Sequence, residues 1–188
     1  MTDGLKSLLR TFAKFDDTEI DRISKAFHVK TAKKNSILLS AGSVAKEFSY
    51  VQTGGLRTFF VEKNGHEKTR YIILDNGIGT TLTSFVTQTP SFEFIEALDD
   101  TEFSSISHQD FYRFNDEMNN WKIFYQKILE RAYAFQNRKI ESLVTLTAKQ
   151  RYEQLLKENP RFVQRLSNKV LASYLDVREE TLSRLKSP

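Results

Sequence analysis

Eight side chains near the C-terminus have the types and spacing to read a nucleic acid: Lys169, Arg178, Glu179, Glu180, Thr181, Ser183, Arg184 and Lys186. An arginine fork can bond O6 and N7 of guanine, a glutamate can accept from N4 of cytosine, and hydroxyl and ammonium groups suit phosphates. The surrounding pattern would hold such a set on one surface. Ser167 is a good N-cap, and Val170, Leu171, Tyr174 and Leu175 give a first helix an inward face. Thr181, Leu182 and Leu185 belong to a second helix. Only Asp176-Val177 separates the two, so they must cross steeply, with the small Ala172 at the crossing and Val177 plugging the corner. Asp176 stands where the chain wants a left-handed residue, a conformation aspartate tolerates. Small residue, turn and apolar positions together match a helix-turn-helix over residues 167–186, with residues 178–186 as the recognition helix.

Charge distribution supports the same reading. The 188 residues carry a net charge of +4. Nine of the 28 Lys and Arg lie in residues 148–188 against five of the 24 acids, so the rest of the chain is balanced. A concentrated basic excess is what a phosphate-facing module shows, although a solvated basic face would also explain it.

Other groups capable of chemistry are few. With no cysteine there is no disulfide, no thiolate zinc site and no cysteine-held iron–sulfur cluster. The three histidines, His28, His66 and His108, include no pair at metal-ligand spacing. His66-Glu67 lies beside Asn64-Gly65 and reads as a solvated hairpin tip. There is no Gly-x-Ser-x-Gly, P-loop or dinucleotide fingerprint. The expectation is a protein that is not an enzyme and uses no metal and no cofactor. No apolar run approaches a membrane span, and Met1-Thr2-Asp3-Gly4 lacks a signal-peptide pattern, so a cytoplasmic protein without a membrane partner is expected.

The elements that must carry these residues follow from periodicity. Leu5, Leu8, Leu9, Phe12 and Phe15 have helical spacing, and Asp16-Asp17-Thr18-Glu19 opens a second short helix. Between about residues 28 and 107, β-rich runs (36–39, 48–52, 56–61, 69–74, 92–97 and 103–107) alternate with Gly54-Gly55, Asn64-Gly65, Asn76-Gly77 and Asp99-Asp100 turns. That rhythm predicts an antiparallel β-roll, interrupted by a Thr-rich segment at 79–88 that holds a short helix. Helical spacing returns at about 109. Trp121, Tyr125, Ile128, Ala132 and Phe135 form a coiled-coil-like seam that breaks at Lys139 and resumes on a shifted face at Ile140, Leu143 and Leu146. The seam suits a dimer interface and equally suits packing against the roll. A shorter helix with Tyr152, Leu155 and Leu156 ends at Asn159-Pro160. Pro188 follows the recognition helix almost directly, so no β-wing is expected after it.

The predicted class is α+β: a β-roll with short flanking helices (1–116), a long helix (117–147) and an all-α helix-turn-helix region (148–188). That order resembles the catabolite-activator/fumarate–nitrate-regulator (CRP/FNR) family over nearly the whole chain. Residues 50–56, Tyr-Val-Gln-Thr-Gly-Gly-Leu, resemble the family's strand and glycine turn. Residues 179–185, Glu-Glu-Thr-Leu-Ser-Arg-Leu, resemble its recognition helix. The resemblance implies a bacterial transcription regulator with a cyclic-nucleotide-binding-like sensor roll, a dimerising long helix and two recognition helices on a palindromic operator. Glu180 and Arg184 would then be the main base readers, and Glu179 stands where many members carry Arg or Pro. Implied partners are duplex DNA, a second copy of the chain, an unidentified small-molecule effector and RNA polymerase.

The effector loop departs from the family. The Gly-Glu pair that takes the ribose falls on Thr81-Leu82, and the run whose Arg neutralises the cyclic phosphate falls on Ser91-Phe92-Glu93. A buried phosphate without its Arg loses a charge-assisted pair, so cyclic AMP is not expected to bind in the usual way. Thr80, Thr81, Thr83 and Ser91 remain candidates for another polar effector. The competing reading is a ligand-sensing or protein-interaction module of this architecture that does not touch DNA.

Overall fold

A computed structural model describes residues 2–187; Met1 and Pro188, on which the expectations about a leader and a wing bear, lie outside the described residues. The chain forms two compact units, residues 1–60 with 71–130 and residues 61–70 with 131–188.

The first unit begins with α1 (Asp3–Phe12) and α2 (Asp17–Ala26). Asp16 caps α2 in a reciprocal box: its carboxylate accepts the Glu19 N–H at 2.8 Å, and the Glu19 carboxylate accepts the Asp16 N–H at 3.1 Å. The roll follows as β1 (His28–Ala32), β2 (Ile37–Leu39), β3 (Glu47–Thr53), β4 (Gly55–Val61), β5 (Glu67–Leu74), β6 (Ile78–Gly79), α3 (Leu82–Thr87), β7 (Phe94–Ala97) and β8 (Thr101–Ser107). Its strands make two four-stranded sheets, ordered β1-β8-β3-β6 and β2-β7-β4-β5. Every pairing whose register is resolved is antiparallel, including Glu47↔Ser107 between β3 and β8 and Leu56↔Ala97 between β4 and β7. The strand β1 had no distinct signal, because His28-Val-Lys-Thr-Ala is polar and half exposed; it exists by pairing with β8.

Gly54 makes the β3–β4 turn possible. Its φ is +96°, and a Cβ there would lie 2.6 Å from the Thr101 hydroxyl oxygen. The Gly54 N–H donates to Asp75 Oδ1 at 2.8 Å.

After the roll come α4 (His108–Glu117) and α5 (Asn119–Thr145). The core of this unit is aromatic. Phe111 stands edge-on to Trp121 with ring centroids 5.1 Å apart, Phe114 to Trp121 at 5.5 Å, and Phe12 to Phe124 at 5.3 Å. Phe48, Phe85 and Phe111 close it on the roll side.

The second unit contains the last turns of α5, then α6 (Ala148–Glu158), α7 (Pro160–Arg165), α8 (Asn168–Leu175) and α9 (Glu179–Lys186). Thr147 and Gln150 cap α6 reciprocally. Pro160 occupies the first position of α7, where its missing N–H costs nothing. The tip of the β4–β5 hairpin, residues 61–70, belongs to this unit. No described helix is long and apolar enough to cross a membrane.

Candidate nucleic-acid interface

The interface is built on α8 and α9. The Ser167 side chain accepts the Val170 N–H at 3.3 Å and so starts α8 as expected. Asp176 ends it in the left-handed conformation, φ +55° and ψ +50°, and the Val177 N–H reaches back to the Ala172 carbonyl at 3.0 Å. Val170, Leu171, Ala172, Tyr174 and Leu175 are buried along α8, and Leu182 is buried on α9. With Leu182 buried, the opposite face of α9 is left outward.

Arg178, Glu179, Glu180, Ser183, Arg184 and Lys186 are exposed, and Thr181 is half-buried. Acidic Glu179 and Glu180 occupy the first turn of α9 and basic Arg184 and Lys186 its last, in the sense that favours the helix dipole. Lys186 donates to Asn168 Oδ1 at 2.6 Å and ties the end of α9 to the start of α8. The second unit thus brings the recognition-helix candidates onto one short helix. Lys169 sits on α8 instead.

Two further groups of residues hold α8, and neither has a local sequence signal. The first is the hairpin tip, where Lys169 Nζ meets Glu67 Oε1 at 2.6 Å. Ser173 Oγ accepts the Thr69 N–H at 2.7 Å and donates to the Glu67 carbonyl at 3.0 Å. Lys68 pairs with Asp176. These partners are about a hundred residues apart in sequence, the Lys169–Glu67 separation being 102, so hairpin composition alone reads as a solvated tip.

The second group caps the C-terminal end of α8. Arg151 donates from Nε to the Leu175 carbonyl at 3.0 Å and from Nη1 to the Leu146 carbonyl at 2.7 Å. Lys139 donates to the Tyr174 carbonyl and lies 3.6 Å from the centre of the Tyr174 ring. Cations at a helix C-terminus meet its orphan carbonyls and its negative dipole end. This explains the break in the α5 seam: an apolar residue at 139 would leave the Tyr174 carbonyl without that donor. Burial pushes the Lys139 ammonium down to about 8; Asp176 opposes the shift and Arg151 adds to it.

The expected seam on α5 divides differently. Trp121 and Ile128 are buried within the first unit, and the Tyr125 hydroxyl is paired with Tyr112 at 2.9 Å. Trp121 and Ile128 are thus spent in the chain's own aromatic core, and Tyr125 is half-buried against it. Ala132 and Phe135 are half-buried. The apolar residues of α5 exposed in the second unit are Tyr133, Ile140, Leu143 and Val144.

The effector candidates in the first unit do not converge. Thr80 donates to the Glu47 carbonyl at 2.8 Å. The Thr81 hydroxyl is buried without a hydrogen-bond partner among the described residues, and Thr83 is exposed. Ser91 is absorbed in its own turn, accepting the Glu93 N–H and donating to the Glu93 carbonyl, each at 3.0 Å. Glu93 is buried, and its carboxylate accepts from Thr58 at 3.2 Å. Of the four, only Thr80 borders the roll's 470 Å³ cavity, beside Lys30, Lys46, Glu47 and Ser49.

No protein-family model and no curated protein sequence matches the chain. Solved structures do. FixK2 from Bradyrhizobium japonicum superposes with a TM-score of 0.76 at 16% identity, covering 85% of this chain and 82% of that one. A putative transcriptional regulator of the CRP/FNR family from Eubacterium rectale gives 0.72 at 19%, covering 91% and 82%. The c-di-GMP-responsive global regulator CLP of Xanthomonas campestris gives 0.72 at 17%, covering 90% and 89%. The chain has the α+β fold of the CRP/FNR regulators, the fold that its strand-turn and recognition-helix residues resemble.

Proposed function

We propose that the chain is a sequence-specific DNA-binding transcription regulator that acts as a homodimer and inserts α9 into the major groove. The observation that carries this reading is the outward face of α9, with Glu180, Ser183 and Arg184 exposed over a crossing packed by Leu182 and Leu171. Residues 1–116 then act as the sensor, 117–147 as the dimerising helix and 148–188 as the DNA-binding region. Structural neighbours with the same fold support it, among them a putative transcriptional regulator and a global regulator.

The second copy is assigned to the exposed stripe of α5. Tyr133, Ile140 and Val144 recur at steps of seven and four on one helix, the spacing of an interhelical seam. For the sensor, an unidentified small molecule is the proposed effector. Cyclic AMP bound in the family's manner is disfavoured, because the buried Glu93 carboxylate lies in the run that supplies the family's phosphate-binding Arg.

Selection of bound sequences from random duplexes tests the proposal. A palindrome with half-sites about one helical turn apart is the expected result. Recovery of no enriched sequence, with no salt-dependent DNA binding at low ionic strength, would leave the ligand-sensing or protein-interaction module as the reading.

A further inference from the structure

The second unit contains an open cavity of about 350 Å³ that DNA reading does not use. Phe135, Leu143 and Leu155 supply apolar wall. The charged lining is one-sided: Arg131, Arg138, Lys139 and Arg151 face it, and Glu158 is the one carboxylate among the lining residues. The volume is at the small end of small-molecule sites, about 300–1,000 Å³, and suits a body the size of a phenyl ring with a short chain.

Lys139 and Arg151 are the cations held in place. Both are anchored on carbonyls at the end of α8: Lys139 on Tyr174, and Arg151 on Leu175 and, at 3.5 Å, Asp176. These bonds do not exhaust them. An ammonium has three donors and a guanidinium five. One from Lys139 and three from Arg151 are used among the described residues. Two on each remain, on side chains whose positions are already fixed.

We propose that this cavity binds an organic anion, a carboxylate or phosphate carried on an apolar body, with its charge between Lys139 and Arg151. Two like charges beside an apolar wall are a poor arrangement until an anion joins them in charge-assisted pairs. The depressed Lys139 ammonium agrees: burial and Arg151 lower it, and Asp176 raises it without restoring its ordinary value. Arg131 and Arg138 act in the same direction as Arg151, and Glu158 against it. An anion restores the charged form of Lys139, so binding takes up protons near neutral to mildly alkaline pH and weakens as pH rises. The inference stands on the cavity alone and does not require that the chain bind DNA.

The test is calorimetric titration of the full chain with 3-phenylpropionate and with phenyl phosphate, in two buffers of different ionisation heat, at a pH near the Lys139 value of about 8. Inorganic phosphate supplies charge without body, and 3-phenylpropan-1-ol supplies body without charge. The proposal expects one or both aryl anions to bind with uptake of a fraction of a proton, at least about tenfold tighter than either control. Which anion is tighter tells carboxylate from phosphate. Lys139→Met should abolish the proton uptake. Because that variant also loses a helix cap, a second readout uses the unchanged chain: acylation of the Lys139 amine, followed by mass spectrometry, should slow several-fold with the anion present. Absence of binding by both anions overturns the proposal. So does binding that leaves proton uptake and Lys139 acylation unchanged, and so does equal binding of the alcohol.

Discussion

The two units are held together by different physics. In the first, Trp121, Phe85, Phe111, Phe114 and Phe124 are fully buried and pack edge to face, so its stability is mostly non-directional apolar burial. In the second, the buried side chains are fewer and smaller, and α8 is fixed by directional ties: Lys139 and Arg151 at one end, Glu67 and Thr69 along its side. Apolar burial neither titrates nor is screened by salt, whereas charged ties do both. The anchorage of α8, next to the recognition helix, is therefore one that pH and salt can adjust.

The sharpest way to break this contrast is Trp121→Ala. Deleting a buried aromatic costs about 3–5 kcal/mol, so the variant should lose much of the first unit's stability. Denaturant melts with probes in each unit should separate it from the second. A single coincident loss in both units would count against treating them as differently held.

Next in size is Arg184→Ala. Loss of one bidentate base contact is worth about 1–3 kcal/mol, so affinity for the selected operator should fall by about five- to 150-fold for each half-site. Thermal melting should stay put, because Arg184 is exposed. Fluorescence anisotropy with cognate and scrambled duplexes reads the first, and a retained preference for the cognate site would reassign base reading to other residues.

Third is the pH dependence of the second unit. The folded Lys139 value, about 8, lies below its ordinary 10.5. Between those pH values the unfolded chain holds more protons than the folded one, so this group makes stability climb as pH rises through the window. Comparing wild type with Lys139→Met by chemical denaturation across that range should show the climb in wild type alone. A parallel pair of curves would mean that Lys139 is not depressed.

The smallest effect is Glu67→Gln. In the folded chain Glu67 neutralises Lys169, an ammonium on the first helix of the motif, where a DNA phosphate would otherwise be its partner. The pair is exposed on the Lys169 side and worth at most about 1 kcal/mol, so the variant should bind DNA up to about fivefold tighter at low salt. The gain should vanish as salt is raised. Weaker binding at low salt would mean that the hairpin supports α8 more than it masks it.

Much of the architecture was legible because it depends on local chemistry. The acidic 16–19 start of α2, the Ser167 cap, the left-handed Asp176 and the Gly54 turn are properties of a few adjacent residues, and the structure shows each of them. The helix-turn-helix was readable for the same reason, since its cap, small residue, turn and inward face fit within residues 167–186. Less legible was any position whose role depends on a distant partner. The α5 seam has the same heptad-like spacing whether it packs on its own core or on a second copy, and burial of Trp121 and Ile128 in the first unit decides which residues are spent.

The order of helices and strands, the chemistry of α9 and the lack of an arginine in residues 89–93 could be read from the linear sequence, because each is set within a few residues. That Glu67 meets Lys169, and that Lys139, an interruption in one helix, is a donor that caps another, follows from folding alone. Folding also gathered four cations around a cavity. Those are pairings of charges with carbonyls, carboxylates and empty space across long stretches of chain, and a linear pattern carries no distance between them.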